Sequence, residues 1–188
     1  MGQQFRRAHL RAPLNSTLLY EDDGHVFKAA TLNISEGGVL LENLPKIPEI
    51  NAMPLMINLL FLPELSRQRM DQLLSKSSSD YERVIIRAKA KMVRSFDVQD
   101  EVDQIFITRI GCEFVKLPQD SLEIIKQYVA RFAKNTIYLL SLFENHGNRH
   151  EQIYFLRHVA GLLGYASQLP IARLRQKVLH DYQSLESL

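Results

Sequence analysis

Between residues 12 and 117, apolar and polar positions alternate in short runs, the period of half-buried β-strands. A first run covers 14–21. A second covers 26–32, where Val26, Lys28 and Ala30 alternate against Phe27, Ala29 and Thr31. Between them stands Asp22-Asp23-Gly24, and because Asp and Gly tolerate positive φ this predicts a hairpin turn. The segment Asn33-Ile34-Ser35-Glu36-Gly37-Gly38 has the composition of a turn, and Val39-Leu40-Leu41 follows as a short strand. Pro45, Pro48 and Pro54 mark an irregular crossing before a continuous apolar run at 55–62. Residues 81–96 alternate again: Val84, Ile86, Ala88, Ala90 and Met92 form one face, and Arg83, Ile85, Arg87, Lys89 and Lys91 a mostly basic one. A last run at 104–115 carries Ile105, Ile107, Ile110 and Phe114. Six strands result, spaced for a meander or a small barrel.

Two segments depart from this period. At 63–80 a helical patch interrupts the strands as an insertion. Pro63 suits its first turn, Leu65, Met70, Leu73 and Leu74 are its apolar positions, and the Ser-rich stretch 75–79 reads as flexible. Beyond residue 117 the period becomes helical. Asp120 and Glu123 read as a capping box. Leu122, Ile125, Val129, Phe132, Thr136, Leu139 and Phe143 then fall at alternating steps of three and four, a heptad seam on a helix reaching about Asn145. Gly147 ends that helix, and Asn148 with Glu151 caps a second that runs to about Ser167. Pro170 opens a third, with Ile171, Leu174, Val178, Tyr182 and Leu185 inside. The seam has two readings: packing within a three-helix tail, or a coiled coil between chains that would make a homo-oligomer.

Composition adds mainly exclusions. With 46% apolar residues in 188, the chain can bury a core without a metal or disulfide staple. Lys and Arg number 23 against 21 acids, so net charge demands no nucleic-acid partner, and the basic strand face reads as solvated. The single Cys112 cannot form an internal disulfide and sits in an apolar strand as an inert thiol. The longest apolar stretch, 53–62, is broken by Pro54 and Asn58 and is too short for a bilayer. The expectation is a cytoplasmic protein with no membrane insertion. Walker and dinucleotide loops, zinc spacings and a nucleophile elbow are all missing from the sequence, which points away from an enzyme and from any cofactor. His146 and His150 are separated by the helix break at Gly147 and read as loop histidines rather than metal ligands.

Charge distribution is more informative than charge balance. The first eleven residues hold Arg6, Arg7 and Arg11 and no acid, and Arg7 and Arg11 form an Arg-x-x-x-Arg pair. In extended chain, positions four apart share a side about 13 Å apart. Planar guanidinium forks grip phosphate bidentately, stack on a base, or pair with guanine O6 and N7. A solvated basic terminus is the plain alternative. The second constellation is Asn33-x-Ser35-x-x-Gly38, which presents an amide, a hydroxyl and backbone N–H groups, or simply holds a turn.

Together, an Arg-x-x-x-Arg segment before the first strand and Asn-x-Ser-x-x-Gly after the second resemble the PilZ domain family, whose second motif accepts Asp or Asn where Asn33 stands. Ile110-Gly111-Cys112-Glu113-Phe114-Val115 followed by Leu117-Pro118 is similar to the family's last strand and its exit to a helix, and Ala88 to Arg94 to the strand before it. The resemblance covers about 5–133. It implies a mainly β fold, a six-stranded antiparallel PilZ-type β-barrel, here followed by about three helices. The domains expected are 1–133, with an Arg-rich arm and the 63–80 insertion, and 134–188 as a helical extension. It further implies a receptor for cyclic di-GMP without catalysis. Arg7 and Arg11 would clamp guanine and phosphate, Asn33 and Ser35 would read a guanine edge, and Gly38 would let the backbone close on the ligand. Arg6, just before the first motif Arg, would favour a stacked pair of messenger molecules. Ligand would order the arm and signal through the tail to a downstream protein partner; the alternative is a PilZ-like interaction or oligomerisation module that binds no nucleotide. Arg94 and Arg109 would add charge, but alternation alone does not orient them.

Overall fold

The computed structural model describes residues 9–48, 52–99, 106–145 and 150–186. Strands β1 (Ala12–Asp22), β2 (His25–Ser35), β3 (Gly38–Glu42), β4 (Met53–Phe61), β5 (Glu82–Gln99) and β6 (Phe106–Lys116) close into a barrel in the order β1-β2-β3-β6-β5-β4. The β1–β4, β2–β3, β3–β6 and β5–β6 pairings are antiparallel. Helix α1 (Met70–Leu74) lies in the β4–β5 connection, and α2 (Gln119–Asn145), α3 (His150–Leu162) and α4 (Ile171–Glu186) follow the last strand. This is the six-stranded antiparallel barrel and three-helix tail read from the residues.

The chain divides into two compact units: Pro13–Leu59 with Arg83–Gln127, and Met1–Ala12 with Leu60–Glu82 and Tyr128–Leu188. The first holds most of the barrel. Its interior is filled by side chains at strand alternation, among them Leu18, Ile34, Leu41, Ile57, Ile86 and Ile110, all nearly inaccessible. Asp23 and Gly24 both have positive φ, 51° and 72°, the primed turn that matches strand twist and that the Asp-Gly pair predicts. Lys46 fastens the connection after β3: its Nζ lies 2.8 Å from the buried Asp22 carboxylate, and its carbonyl accepts the Tyr20 hydroxyl at 2.5 Å. Pro54, read as part of the crossing, is instead the second residue of β4, near a strand start where a missing N–H is tolerated.

The second unit gathers the 63–80 segment with the tail. That segment is not one helical patch but a 3₁₀ turn at Leu65–Arg67, α1, and a second 3₁₀ turn at Ser78–Asp80. Leu65 and Leu73 are fully buried, whereas Met70 is 41% exposed and adds nothing to the core. Buried Asn135 of α2 accepts the Leu65 N–H and donates to the Pro63 carbonyl, both at 2.9 Å. His158 of α3 bonds the Leu73 carbonyl at 2.8 Å. The serine stretch is ordered at its end, where the Ser77 N–H and Oγ both donate to Asp80, at 2.7 and 2.8 Å.

Two tail expectations are corrected. Helix α2 begins at Gln119 with the Leu122 N–H bonded to the Pro118 carbonyl, so Asp120 lies inside the first turn and is not its cap. Helix α3 stops at Leu162, not near Ser167. Gly164 takes φ +84°, with Gly164 N–H bonded to Gly161 O and Tyr165 N–H to Ala160 O, the two bonds of a Schellman stop. The seam residues Ile125, Val129, Phe132, Thr136, Leu139 and Phe143 are all buried within the single chain, the intramolecular reading of the heptad. The expected cap at Asn148 lies outside the described residues.

Candidate ligand-binding face

Asn33, Ser35 and Gly38 belong to the β2–β3 hairpin, and their setting corrects the sequence reading. Asn33-Ile34-Ser35 is strand, and only Glu36 and Gly37 turn: Ser35 pairs with Gly38, Ile34 with Val39 and Asn33 with Leu40. The register slips between Thr31 and Asn33, because Leu32 has no partner on β3. An extra residue in one strand reverses which side chains point inward beyond it. Before the bulge, Ala29 and Thr31 are buried; after it, fully buried Ile34 takes the core, so Asn33 and Ser35 lie on the other side of the sheet, Asn33 half-buried and Ser35 only 6% exposed. Had Leu32 been paired in unbroken alternation, they would share the inward side of Thr31, whose hydroxyl is already bound to the Leu14 and Ser16 carbonyls, both at 2.8 Å.

A second bulge does the same on β5. Met92 pairs with Cys112 and Arg94 with Gly111, leaving Val93 extra. Cys112 belongs to the inner row with Ile34 and Val39, so the shift sends Arg94 outward. Cross-strand partners then align a row Asn33, Leu40, Gly111, Arg94 over β2, β3, β6 and β5. Beside it lies Ser35, Gly38, Glu113, Lys91, and on the other side Ala30, Glu42, Arg109, Phe96. Arg94 and Arg109, which alternation could not orient, therefore flank the Asn-x-Ser pair on one surface.

The charges of this surface are unequally committed. Lys91 is 3.0 Å from Glu113, and Arg109 is 3.3 Å from Glu42. Arg94 has no carboxylate partner among the described residues; its guanidinium lies 5.4 Å from the Phe96 ring centroid. Gly111 makes room for it, since a Cβ there would meet the Arg94 side chain at 3.0 Å. Ser35 Oγ spends itself locally, donating to the Gly38 carbonyl at 3.4 Å. Gly38 has a reason of its own: a Cβ would stand 2.0 Å from the Cys112 carbonyl oxygen on β6. Strand contact, before any ligand, demands glycine there.

Of the cationic segment, Arg6 and Arg7 lie outside the described residues. Arg11 is half-buried one residue ahead of β1 and belongs to the second unit. Burial pushes the Cys112 thiol up to about 11, consistent with an inert interior group. Among the described residues no cluster of His, Cys, Asp or Glu could hold a metal ion, and no helix is long and apolar enough to cross a membrane.

The PilZ domain family model matches residues 5–131. The chain belongs to the PilZ domain family. The match takes in both motifs, the barrel strands and the first part of α2. No curated protein matches the chain. Among solved structures it is similar to the Bacillus subtilis inhibitor of motility MotI/DgrA (16% identity, 67% of this chain and 50% of that one, TM-score 0.47). It is also similar to the PilZ domain of YcgR from Escherichia coli with c-di-GMP (13%, 66% and 89%, 0.43). A third is the K. pneumonia MrkH–c-di-GMP complex (14%, 66% and 51%, 0.42). The chain spans about half the length of the MotI and MrkH chains. The Asn33-x-Ser35-x-x-Gly38 segment thus stands on a bulge-shifted hairpin.

Proposed function

We propose that this PilZ-domain protein is a cyclic di-GMP receptor that acts as an adaptor rather than a catalyst, in the cytoplasm. The observation that carries the reading is the pair of bulges that take Asn33, the buried Ser35 beside it and the carboxylate-free Arg94 out of the core row to one side of the sheet. An amide and a hydroxyl two residues apart suit a guanine edge, and a guanidinium on the same face suits a phosphate or a base plane. Arg7 and Arg11 clamp guanine and phosphate in this reading, Gly38 keeps the approach open, and Arg6 supplies charge for a second, stacked ligand molecule. Ordering of the arm is the signal, and the helical tail is its output toward a protein partner.

The energetics are compatible. Five charged hydrogen bonds at ~1.5–3 kcal/mol each offset an association cost of ~4–15 kcal/mol and leave micromolar binding within reach. Calorimetry with cyclic di-GMP on wild type, Arg7→Ala and Arg11→Ala tests the reading. Each variant is expected to weaken binding about tenfold or more, since ~2 kcal/mol is roughly thirtyfold. Unchanged affinity in both variants, or no heat in wild type, removes the reading. One ligand bound per chain removes the stacked pair alone. The competing reading, a PilZ interaction module without nucleotide, is favoured by one observation: Gly38 and the Ser35 hydroxyl already have structural work in the hairpin.

A further inference from the structure

The barrel unit carries a second feature on the wall formed by β1, β4, the start of β5 and the end of β6. Leu19 and Met56 are opposite one another in the β1–β4 register, and both point outward, since Leu18, Tyr20, Leu55 and Ile57 on either side are buried. They remain 40% and 37% exposed, and Val26, nearby on β2, is 67% exposed. These three line an open cleft of about 750 Å³. Three cations stand on its rim: Arg87 and Lys89, which alternate outward around buried Ala88, and Lys116, the β6 partner of Lys89. None of the three forms an ion pair among the described residues, whereas Lys91 and Arg109 on the ligand-facing surface are paired. Glu21 is the one acid lining the cleft.

An exposed apolar floor beside unpaired cations is costly to leave in water and complementary to one kind of surface. We propose that this cleft is a docking groove for an acidic amphipathic helix of a partner protein. Charge complementarity selects the acid: three uncommitted cations against one carboxylate. The closed barrel selects the helix. Each described strand is paired on both sides, so among the described residues there is no free edge for an added strand and recognition must proceed through side chains, the helix-in-groove mode. Apolar anchors at helical spacing would cover Leu19, Val26 and Met56, and carboxylates along one flank would meet Arg87, Lys89 and Lys116. The inference does not depend on nucleotide binding.

Fluorescence anisotropy of the full chain with two labelled peptides of roughly 20 residues tests it. One carries leucines along one helical face and glutamates on the flank; its twin replaces each glutamate by lysine. The acidic peptide is expected to bind about tenfold or more tightly than its twin at low salt, with the difference shrinking as salt screens the rim. The exposed double variant Arg87→Glu/Lys89→Glu should invert the preference, and Met56→Asp should weaken both peptides. Equal affinities, or a preference that charge reversal leaves untouched, overturn the proposal. In that event a dimer dissolved by Met56→Asp would assign the face to a second copy, and co-sedimentation with phosphatidylglycerol but not phosphatidylcholine vesicles would assign it to an anionic lipid surface.

Discussion

The inner and outer surfaces of the β2–β3–β6–β5 wall share four strands and obey opposite rules. The inner surface is Thr31, Ile34, Val39, Leu41, Ile110 and Cys112, each nearly inaccessible, and its one hydroxyl is consumed by backbone carbonyls of β1. The outer surface is Asn33, Glu42, Lys91, Arg94, Arg109 and Glu113, with Ser35 buried on the same side, and among the described residues two ion pairs leave Arg94 uncommitted to any carboxylate. Two extra residues, Leu32 and Val93, decide which side chain belongs to which surface. A strand pair therefore separates stability from recognition by a one-residue slip, at the cost of locally broken pairing. Inner-surface substitutions should alter folding with affinity unchanged, and outer-surface substitutions the reverse.

Gly38 is where the separation fails, and it gives the largest expected effect. Gly38→Ala places a Cβ against the Cys112 carbonyl, a backbone atom that cannot swing away, so β3 must part from β6. A loss of about 3 kcal/mol or more is expected by denaturant melting, with binding weakened in step. An unchanged midpoint would show that the hairpin absorbs the side chain. Arg94→Ala comes next: cyclic di-GMP binding should weaken about tenfold by calorimetry while thermal stability stays as it is. A variant that melts early yet binds normally would move Arg94 to the structural side. Thr31→Val, two residues from Asn33 but on the inner surface, should cost about 1–2 kcal/mol of stability, because the Ser16 N–H loses the acceptor it now has at 3.1 Å. Its affinity should equal wild type.

The smallest effect lies in the helical unit and serves as a control. The Lys134 hydrogen bond, with Arg67 nearby, holds the Glu64 carboxyl below its ordinary 4.5, and the Ser77 backbone and hydroxyl donors hold Asp80 below 3.8. Depressed folded values mean that these groups stabilise the fold above the ordinary values and lose that contribution as pH falls through the folded ones. Melting temperature should therefore decline below about pH 4. Glu64→Gln should be slightly less stable at neutral pH and show a flatter decline in acid. An identical pH profile would contradict the role given to the Lys134 bond.

Much of the architecture was legible because it rests on periods. Alternation marks the inward residues Ile86, Ala88 and Ala90, and the Asp23-Gly24 pair announces its turn by the φ values it alone tolerates cheaply. The steps of three and four in α2 identify the buried seam. What stayed hidden was a departure from period. A bulge is one ordinary residue too many, and neither Leu32 nor Val93 carries any composition that marks it. Alternation could not orient Arg94, because the extra residue Val93 shifts the side on which it lies. The stop of α3 was misread because Gly164 lies close to the polar stretch that looked like the end, and the capping box because Asp120 and Glu123 have the right spacing two residues too late. The candidate site was legible as residue types only. That Gly38 answers to a carbonyl across the sheet is a fact of tertiary approach, which no local motif encodes.

Cys112 is the protein's only sulfhydryl, itself buried in the row between Val39 and Met92, with its acidity suppressed. An alkylating reagent at neutral pH should find it only when the β6 staves separate. The rate of modification then becomes a stopwatch on breathing of the cylinder, read without adding any reporter, and a nucleotide that braces the outside should slow the clock.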